Sequence, residues 1–407
     1  GEEWQITHER LRLVALEQVA ADDLVQLNTT VAEALEYLYP DSVQKAGMIA
    51  HHWNLAGNDE RERPYLLDAA DYALRLNSFQ DAVGLYRRAL ELRDDAASDE
   101  RMAAQLQIRL GESLMYIGEY DEALERLEAG LKAFDAEDKN ERAKTLSLLS
   151  DAYWRAGQFD AAQHNAEQAL QLAREITAVE VEVRSLSRLG MIATDKGDYN
   201  QAEAYYEQGL TLSNDHNDVV GKTMLNNNYG ILAGTRGDLD AAKDRFAASL
   251  ALSESNDWGY RAVPTLINLG SISGMQGDLD NALSYFERSL VMSRAIGDRR
   301  HVSISLDNLG FLAQLREDYQ QALQYFEESL ILAETIGNRA AVPVVLRKLA
   351  LVFEKLDKLD MTSTYLRQAI EKANEIQAAP TALHALADLA RITYDSHLAV
   401  QWAQYVV

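Results

Sequence analysis

The chain has 407 residues, of which 47% are hydrophobic and 25% are charged, and it contains no cysteine. Its formal net charge of -25 at pH 7 argues against binding to nucleic acid phosphates or to anionic lipid. The lack of cysteine excludes disulfides and thiolate chemistry, and the lack of a long apolar run or a leader predicts a cytoplasmic protein with no membrane contact.

The first segment, residues 1–60, has apolar residues at helical spacing but follows no longer repeat, which predicts a helical lead-in. His51 and His52 are adjacent, so on a helix they point about 100° apart and cannot share a metal ion. We interpret them as packing or capping residues. The other histidines are scattered without ligand spacing, so we predict no metal site.

Residues 61–376 repeat one motif about every forty residues, eight times. A typical copy is Gly197, Asp198 and Tyr199, with Ala202 three residues later. Such a period is typical of stacked helix pairs, here termed helix A and helix B. The glycine position predicts a left-handed residue that ends helix A, after which helix B begins. It is occupied in turn by Asn77, Gly118, Gly157, Gly197, Gly237, Gly277, Glu317 and Asp357.

Two further positions in each repeat predict how the helices pack. A small residue in helix A lets the helices approach closely, and large side chains of helix B fill the remaining space. The small residues are Ala70, Gly111, Ser150, Gly190, Gly230, Gly270, Gly310 and Ala350, and the aromatic ones are Tyr86, Tyr206, Phe246, Phe286 and Phe326. Side-chain caps for later A helices are expected from Asp218, Asp257, Asp298 and Asn338.

With these positions filled, for example by Gly270, Gly277, Ala282, Phe286 and Ser289, the sequence resembles the tetratricopeptide repeat family. The resemblance implies an all-α, right-handed superhelical α-solenoid of antiparallel helix hairpins, with A helices lining a concave groove. Residues 377–407 are expected to form a partial ninth repeat or capping helices, with Ala390 in the small position and Leu398, Trp402 and Tyr405 in a closing helix. Because the chain starts at Gly1 and stops in an apolar stretch, we expect a fragment.

The lead-in has its own resemblance, carried by residues 4–8, 27–36, 49–57 and 65–73. It is similar to the segment that joins the ATPase to the repeats in bacterial signal-transduction ATPases with numerous domains (STAND proteins), although Asn28 stands where many relatives have histidine. That resemblance implies a sensor arm that holds an ATPase module of the same parent chain closed until an inducer or partner binds. The alternative is a free-standing scaffold that recruits peptides or chain termini without an ATPase.

A search for catalytic motifs gives only Gly221, Lys222 and Thr223, which mimic the end of a phosphate-binding loop. The first glycine of that loop would stand at His216, and no strand precedes it, so we interpret the segment as the start of a repeat helix. With no other catalytic arrangement, the sequence predicts a non-enzyme without a cofactor.

The remaining candidates are polar residues on the inner side of the A helices, where a protein, a peptide or a small-molecule inducer would bind. Asparagine is unfavourable within a helix, so several in register indicate a compensating use. They either recognise a peptide backbone or bridge adjacent repeats, and both uses are compatible. Trp154 and Phe311 would supply aromatic contacts or fill the core. The candidate residues are Arg184, Arg188, Asn227, Asn228, Asn268, Asp307, Asn308, Arg347 and Lys348.

Overall fold

In the computed structural model the residues described are 20–76, 78–92, 100–256, 258–336, 338–376 and 378–393. Within these ranges the chain forms nineteen helices and no strand. No helix among them is both long and apolar enough to cross a membrane. The predicted all-α solenoid of helix hairpins is confirmed.

The chain divides into two compact units, Gly1–Leu114 and Met115–Val407. The helices of the first unit are α1 (Ala21–Leu38), α2 (Val43–Leu55), α3 (Asp59–Arg75), α4 (Phe79–Glu91) and most of α5 (Glu100–Ile117). The second unit continues with α6 (Tyr120–Lys132), α7 (Lys139–Arg155), α8 (Phe159–Glu175), α9 (Val179–Asp195), α10 (Tyr199–Asp215), α11 (Val219–Thr235) and α12 (Leu239–Ser255). It ends with α13 (Gly259–Met275), α14 (Leu279–Ala295), α15 (Arg299–Leu315), α16 (Tyr319–Thr335), α17 (Ala341–Lys355), α18 (Leu359–Glu375) and α19 (Ala379–Thr393).

In the described part of the lead-in, which begins at residue 20, α1 and α2 share a small core of Ala32, Ile49 and Trp53. His52 lies between the two helices, where its Nδ1 is 2.8 Å from Asn28 Oδ1. Burial, and then the neighbouring His51, lower the pKa of His52. His52 thus has the first of the two expected roles, packing, whereas His51 is exposed. Residues 4–8 lie outside the described part of the chain.

In the second unit each odd-numbered helix from α7 to α17 is the A helix of a pair and packs on the B helix that follows it. The glycines of the A helices leave room for aromatic rings of the B helices. A Cβ atom placed on Gly270 would lie 2.5 Å from Phe286 Cε1, far inside van der Waals contact. The same arrangement pairs Gly190 with Tyr206, Gly230 with Phe246, and Gly310 with Phe326. The predicted small and aromatic positions therefore form one interlocking contact.

The A helices α5, α7, α9, α11, α13, α15 and α17 each end at a left-handed residue, as predicted. The five motif glycines from Gly118 to Gly277 have φ between 75° and 85°. Glu317 and Asp357 occupy the same turn position and have φ of 61° and 58°. A side chain at such a φ is strained, because Cβ approaches the following carbonyl oxygen.

Replacing Glu317 with glycine is expected to raise the free energy of unfolding by about 0.5–1 kcal/mol. Relief of the left-handed strain outweighs the greater flexibility of glycine in the unfolded chain. Urea unfolding measures the change. The matched control is Gly237→Ala at the same turn position, where φ is 84°. Its free energy of unfolding should fall by a similar amount. A lower free energy of unfolding in Glu317→Gly would contradict the argument that the left-handed Glu317 is strained.

Side-chain caps begin many of the helices. Asp198, Asp238, Asp278 and Asp318 follow the left-handed residue and accept the N–H three residues further on. At A helices, Asp218 accepts from Gly221 N at 2.9 Å, Asp298 from His301 N at 3.0 Å and Asn338 from Ala341 N at 3.3 Å. These three predicted caps are confirmed.

Several predicted positions lie outside the described residues: Asn77, Asp257, and Leu398, Trp402 and Tyr405 of the expected closing helix. The segment from Gly221 to Thr223 lies in the first turns of α11, as interpreted from the sequence.

Candidate functional site

Three of the predicted asparagines form a hydrogen-bonded chain across consecutive A helices. Asn228 Nδ2 on α11 donates to Ser187 Oγ on α9 at 2.9 Å. Asn268 Nδ2 on α13 donates to Asn227 Oδ1 on α11 at 3.0 Å. Asn227 Nδ2 in turn donates to Asn228 Oδ1 at 3.3 Å. These contacts join α9, α11 and α13.

Toward the carboxyl end of the unit, ion pairs join the A helices instead. Lys348 Nζ on α17 lies 2.6 Å from Asp307 Oδ2 on α15, and Arg347 Nε lies 2.7 Å from Asp388 Oδ2 on α19. All four side chains are partly buried, so solvent screens these pairs less than fully exposed ones. The other oxygen of Asp307 is buried without a hydrogen-bond partner.

Toward the amino end, Arg188 on α9 forms an ion pair with Asp151 on α7. Its guanidinium also lies over the Trp154 ring, 4.7 Å from the centroid, and Trp154 Nε1 donates to Asp195 Oδ2 at 2.6 Å. Burial lowers the pKa of Arg188, and the charge of Asp151 opposes that effect. Arg184 is more exposed and pairs with Glu180 of its own helix at 3.0 Å.

The chain of amides is interrupted between α13 and α15. Asn308 Nδ2 donates to the Ile304 carbonyl of its own helix at 3.0 Å, and no hydrogen bond in the described residues joins it to Asn268. Ile267 occupies the position that Asn227 and Asp307 hold on neighbouring helices, and it cannot bridge. The amide oxygens of Asn268 and Asn308 therefore keep unused acceptor capacity.

Apolar side chains surround this interrupted column. Residues three, four or seven positions away on a helix lie on the same face, so four of these side chains share the face of the asparagines and the fifth, Val344, shares the face of Lys348 on α17. Their exposed fractions are 40% for Ile231, 70% for Met275, 49% for Phe311, 52% for Leu315 and 39% for Val344. We call the surface formed by these five residues with Asn228, Asn268 and Asn308 the A-face.

Sequence reasoning found the polar members of the A-face but missed most of the apolar ones. Phe311 was left open between the core and ligand contact, and its exposure places it on the surface. Trp154 is half-buried beneath Arg188. The forty-residue repeat could have revealed the apolar members. Ile231 and Phe311 occupy equivalent positions in their repeats, as do Met275 and Leu315.

Two family models, both described as tetratricopeptide repeat, match the sequence, one over residues 102–175 and 261–335 and the other over residues 147–217. Residues 102–217 and 261–335 are therefore tetratricopeptide repeats (TPR). No curated protein gives a significant match to the sequence of this chain.

Solved structures similar to this chain include the STAND protein with a tetratricopeptide repeat sensor from Pyrococcus horikoshii, at 14% identity and a TM-score of 0.57. The match covers 100% of this chain and 65% of that one. A Rap protein complexed with competence and sporulation factor is 15% identical with a TM-score of 0.56, covering 88% of this chain and 99% of that one. The Rap conjugation gene regulator of plasmid pLS20, in complex with the Phr* peptide, is 16% identical with a TM-score of 0.56, covering 89% and 97%. At these identities the likeness is one of fold.

Proposed function

We propose that this protein is the non-catalytic sensor or interaction arm of a signal-transduction ATPase, and that its A-face binds an extended peptide or a protein segment. The observation that carries the proposal is the interrupted amide column between α13 and α15, flanked by exposed apolar side chains.

An extended peptide suits this surface for two reasons. Its backbone N–H groups can donate to the amide oxygens of Asn268 and Asn308, whose acceptor capacity is unused. Its alternate side chains can bury the exposed parts of Ile231, Phe311 and Leu315, which now face water. A monomer gains nothing from exposing such apolar side chains side by side, whereas a binding face does.

The comparisons support the two halves of the proposal separately. The fold likeness to a STAND protein with a TPR sensor supports an ATPase arm, and the likeness to a Rap regulator bound to a peptide supports peptide binding. A free-standing scaffold is the second candidate, since a Rap chain is matched over 99% of its length.

Sequencing the parent gene upstream of Gly1 separates the two candidates. A phosphate-loop ATPase encoded there supports the sensor arm. Its absence would remove the ATPase from the proposal while leaving peptide binding on the A-face to be tested independently.

Replacing Asn228, Asn268 and Asn308 together with alanine is expected to weaken peptide binding about tenfold, because the two hydrogen bonds that the peptide makes to Asn268 and Asn308 each contribute about 0.5–1.5 kcal/mol. The probe is an array of immobilised peptides of random sequence, from which the best binders are resynthesised for calorimetry. Helicity measured by circular dichroism should not change.

The matched control replaces three exposed asparagines of B helices, Asn200, Asn214 and Asn374, with alanine. It should bind as the unaltered protein does. Equal affinity in both triple variants would return the A-face asparagines to a purely structural role, and a lack of any peptide binder would contradict the proposed function.

A further inference from the structure

Two neighbouring B helices of the second unit expose large apolar residues at equivalent positions. Val291 on α14 is 70% exposed, and Ile331 on α16 is 65% exposed. They stand one repeat apart in the sequence. Single exposed apolar residues are common on protein surfaces, but two in register on adjacent helices indicate a contact surface. In the other B helices of the second unit the same position holds Lys132, Gln171, Thr211, Ala251 and Glu371.

The charges beside these two residues have opposite signs on the two helices. On α14, Arg288 and Arg294 stand three residues before and three residues after the exposed valine. On α16, Glu328 and Glu334 stand at the same distances from the exposed isoleucine. Residues three apart share one face of a helix, and all four charged residues are exposed. We call the surface formed by these four residues and the two apolar ones the B-face.

The B-face is complementary to itself. In a dimer with twofold symmetry both copies use the same surface, so α14 of one copy can lie antiparallel on α16 of the other. A residue three before the centre of one helix then faces a residue three after the centre of the other. The apolar residues meet at the centre, and each arginine meets a glutamate. The facing pairs are Val291 with Ile331, Arg288 with Glu334, and Arg294 with Glu328.

Within one chain the charges of the B-face are only partly matched. Arg294 Nη2 lies 2.5 Å from Glu328 Oε1, and Arg288 Nη2 lies 2.5 Å from Glu254 Oε1 on α12. Among the described residues Glu334 forms no ion pair, although its charge acts on Lys372. A guanidinium has five N–H donors, so each arginine can keep its carboxylate and also bind one from a second copy.

We propose that the B-face is the interface of a homodimer, in which a second copy of this chain packs its α14 and α16 on α16 and α14 of the first. The inference goes beyond the proposed function and does not depend on it. The A-face belongs to A helices and the B-face to B helices, so the dimer uses other residues than peptide binding does.

The size of the B-face predicts a weak dimer. α14 and α16 have 17 residues each. Helices of that length are about 25 Å long and 10–12 Å across, so the two present about 500 Å². Stable interfaces bury about 800 Å² on each partner, so we expect a dissociation constant of about 10–100 µM. On the adjacent α12 the exposed alanines Ala247, Ala248 and Ala251 are too short to obstruct the approach.

The net charge of -25 does not prevent this association. At about 0.15 M salt the Debye length is about 8 Å, so repulsion between distant charges of the two copies is largely screened. Pairs in direct contact are screened much less, and at the B-face these pairs are attractive.

The first measurement is sedimentation velocity of the full chain at about 0.15 M salt, between about 1 and 300 µM. The unaltered protein should dimerise. Replacing Val291 and Ile331 together with serine should raise the dissociation constant at least about tenfold, because it removes the apolar centre of the interface. Met275→Ser is the matched control, since it removes a side chain that is also 70% exposed, but from the A-face. It should dimerise as the unaltered protein does.

The second measurement tests which charges face each other. Arg288→Glu places two glutamates opposite each other, and Glu334→Arg places two arginines opposite each other. Each variant alone should dimerise at least about tenfold more weakly, because like charges repel. An equimolar mixture of the two should recover the dimer, since all facing pairs of the mixed dimer again have opposite charges. Lys132→Glu makes the same charge change as Arg288→Glu but on α6, and it should have no effect.

Three results would overturn the proposal. A protein that stays monomeric up to about 300 µM has no such dimer. A dimer that Met275→Ser weakens and the B-face variants do not must form through another surface. Failure of the mixture to recover would exclude the antiparallel pairing of α14 with α16. Peptide binding is measured separately with the array, so none of these results decides the proposed function.

Discussion

Replacing Phe326 with alanine is expected to lower the free energy of unfolding by about 3–5 kcal/mol. The ring is 0% exposed, lies against Gly310, and shares a core cluster with Val345 and Leu349. Since Gly310 has no side chain to move into the vacated space, the cavity collapses only in part, and its walls lose their van der Waals contacts. Denaturant unfolding followed by circular dichroism measures the loss.

The matched control is Phe311→Ala, which removes the same ring from a position that is 49% exposed. It should cost less than about 1 kcal/mol. Similar losses in the two variants would contradict the difference in packing on which the prediction rests.

The location of the damage is a second readout. In a solenoid each repeat contacts only its neighbours, so destabilisation should concentrate in α15, α16 and α17. Hydrogen exchange should therefore accelerate in these helices, while α8 and α9 keep their protection. Uniform acceleration throughout the second unit would indicate that it unfolds as one cooperative block.

The features that sequence predicted well are those set within one repeat. Gly270 and Phe286 meet because their spacing is fixed by two helices and one short turn. The same spacing predicted a left-handed conformation for Glu317 and Asp357, although neither is glycine, and both have positive φ. Short-range geometry of this kind leaves few alternatives, so one sequence is enough to predict it.

The asparagine positions were only partly resolved by the sequence. The pairs Ser187 with Asn228 and Asn227 with Asn268 form the bridges that were one of the two predicted uses. Asn308 has the same register but bonds within its own helix. Whether an amide bridges depends on the residue facing it from the next helix, and Ile267 offers no polar atom.

The approach of Arg339 Nη2 to within 4.0 Å of Glu119 Oε1 could not be predicted from the sequence. Each repeat adds a small rotation to the stack, and whether two distant turns meet depends on the sum of many such rotations. A small error in each rotation would separate Glu119 from Arg339 by more than an ion pair spans. No residue of the repeat pattern fixes the size of these rotations.

Replacing Gly270 with alanine is expected to lower the free energy of unfolding by about 1–3 kcal/mol, although alanine is the better helix former by about 1 kcal/mol. A Cβ at this position would lie 2.5 Å from Phe286 Cε1. The ring is 5% exposed and belongs to a packed cluster, so it cannot move aside without displacing its neighbours. Denaturant unfolding again measures the change.

Gly274 provides the control, because it lies in the same helix and a Cβ there would meet nothing closer than Ala282 Cβ at 4.0 Å. Gly274→Ala should raise stability by up to about 1 kcal/mol, opposite in sign to Gly270→Ala. The double variant Gly270→Ala with Phe286→Leu tests the mechanism, since a smaller side chain removes the obstructed ring. If the ring is the obstacle, the two losses will combine to less than their sum, and strict additivity would mean that the cost of Gly270→Ala arises elsewhere.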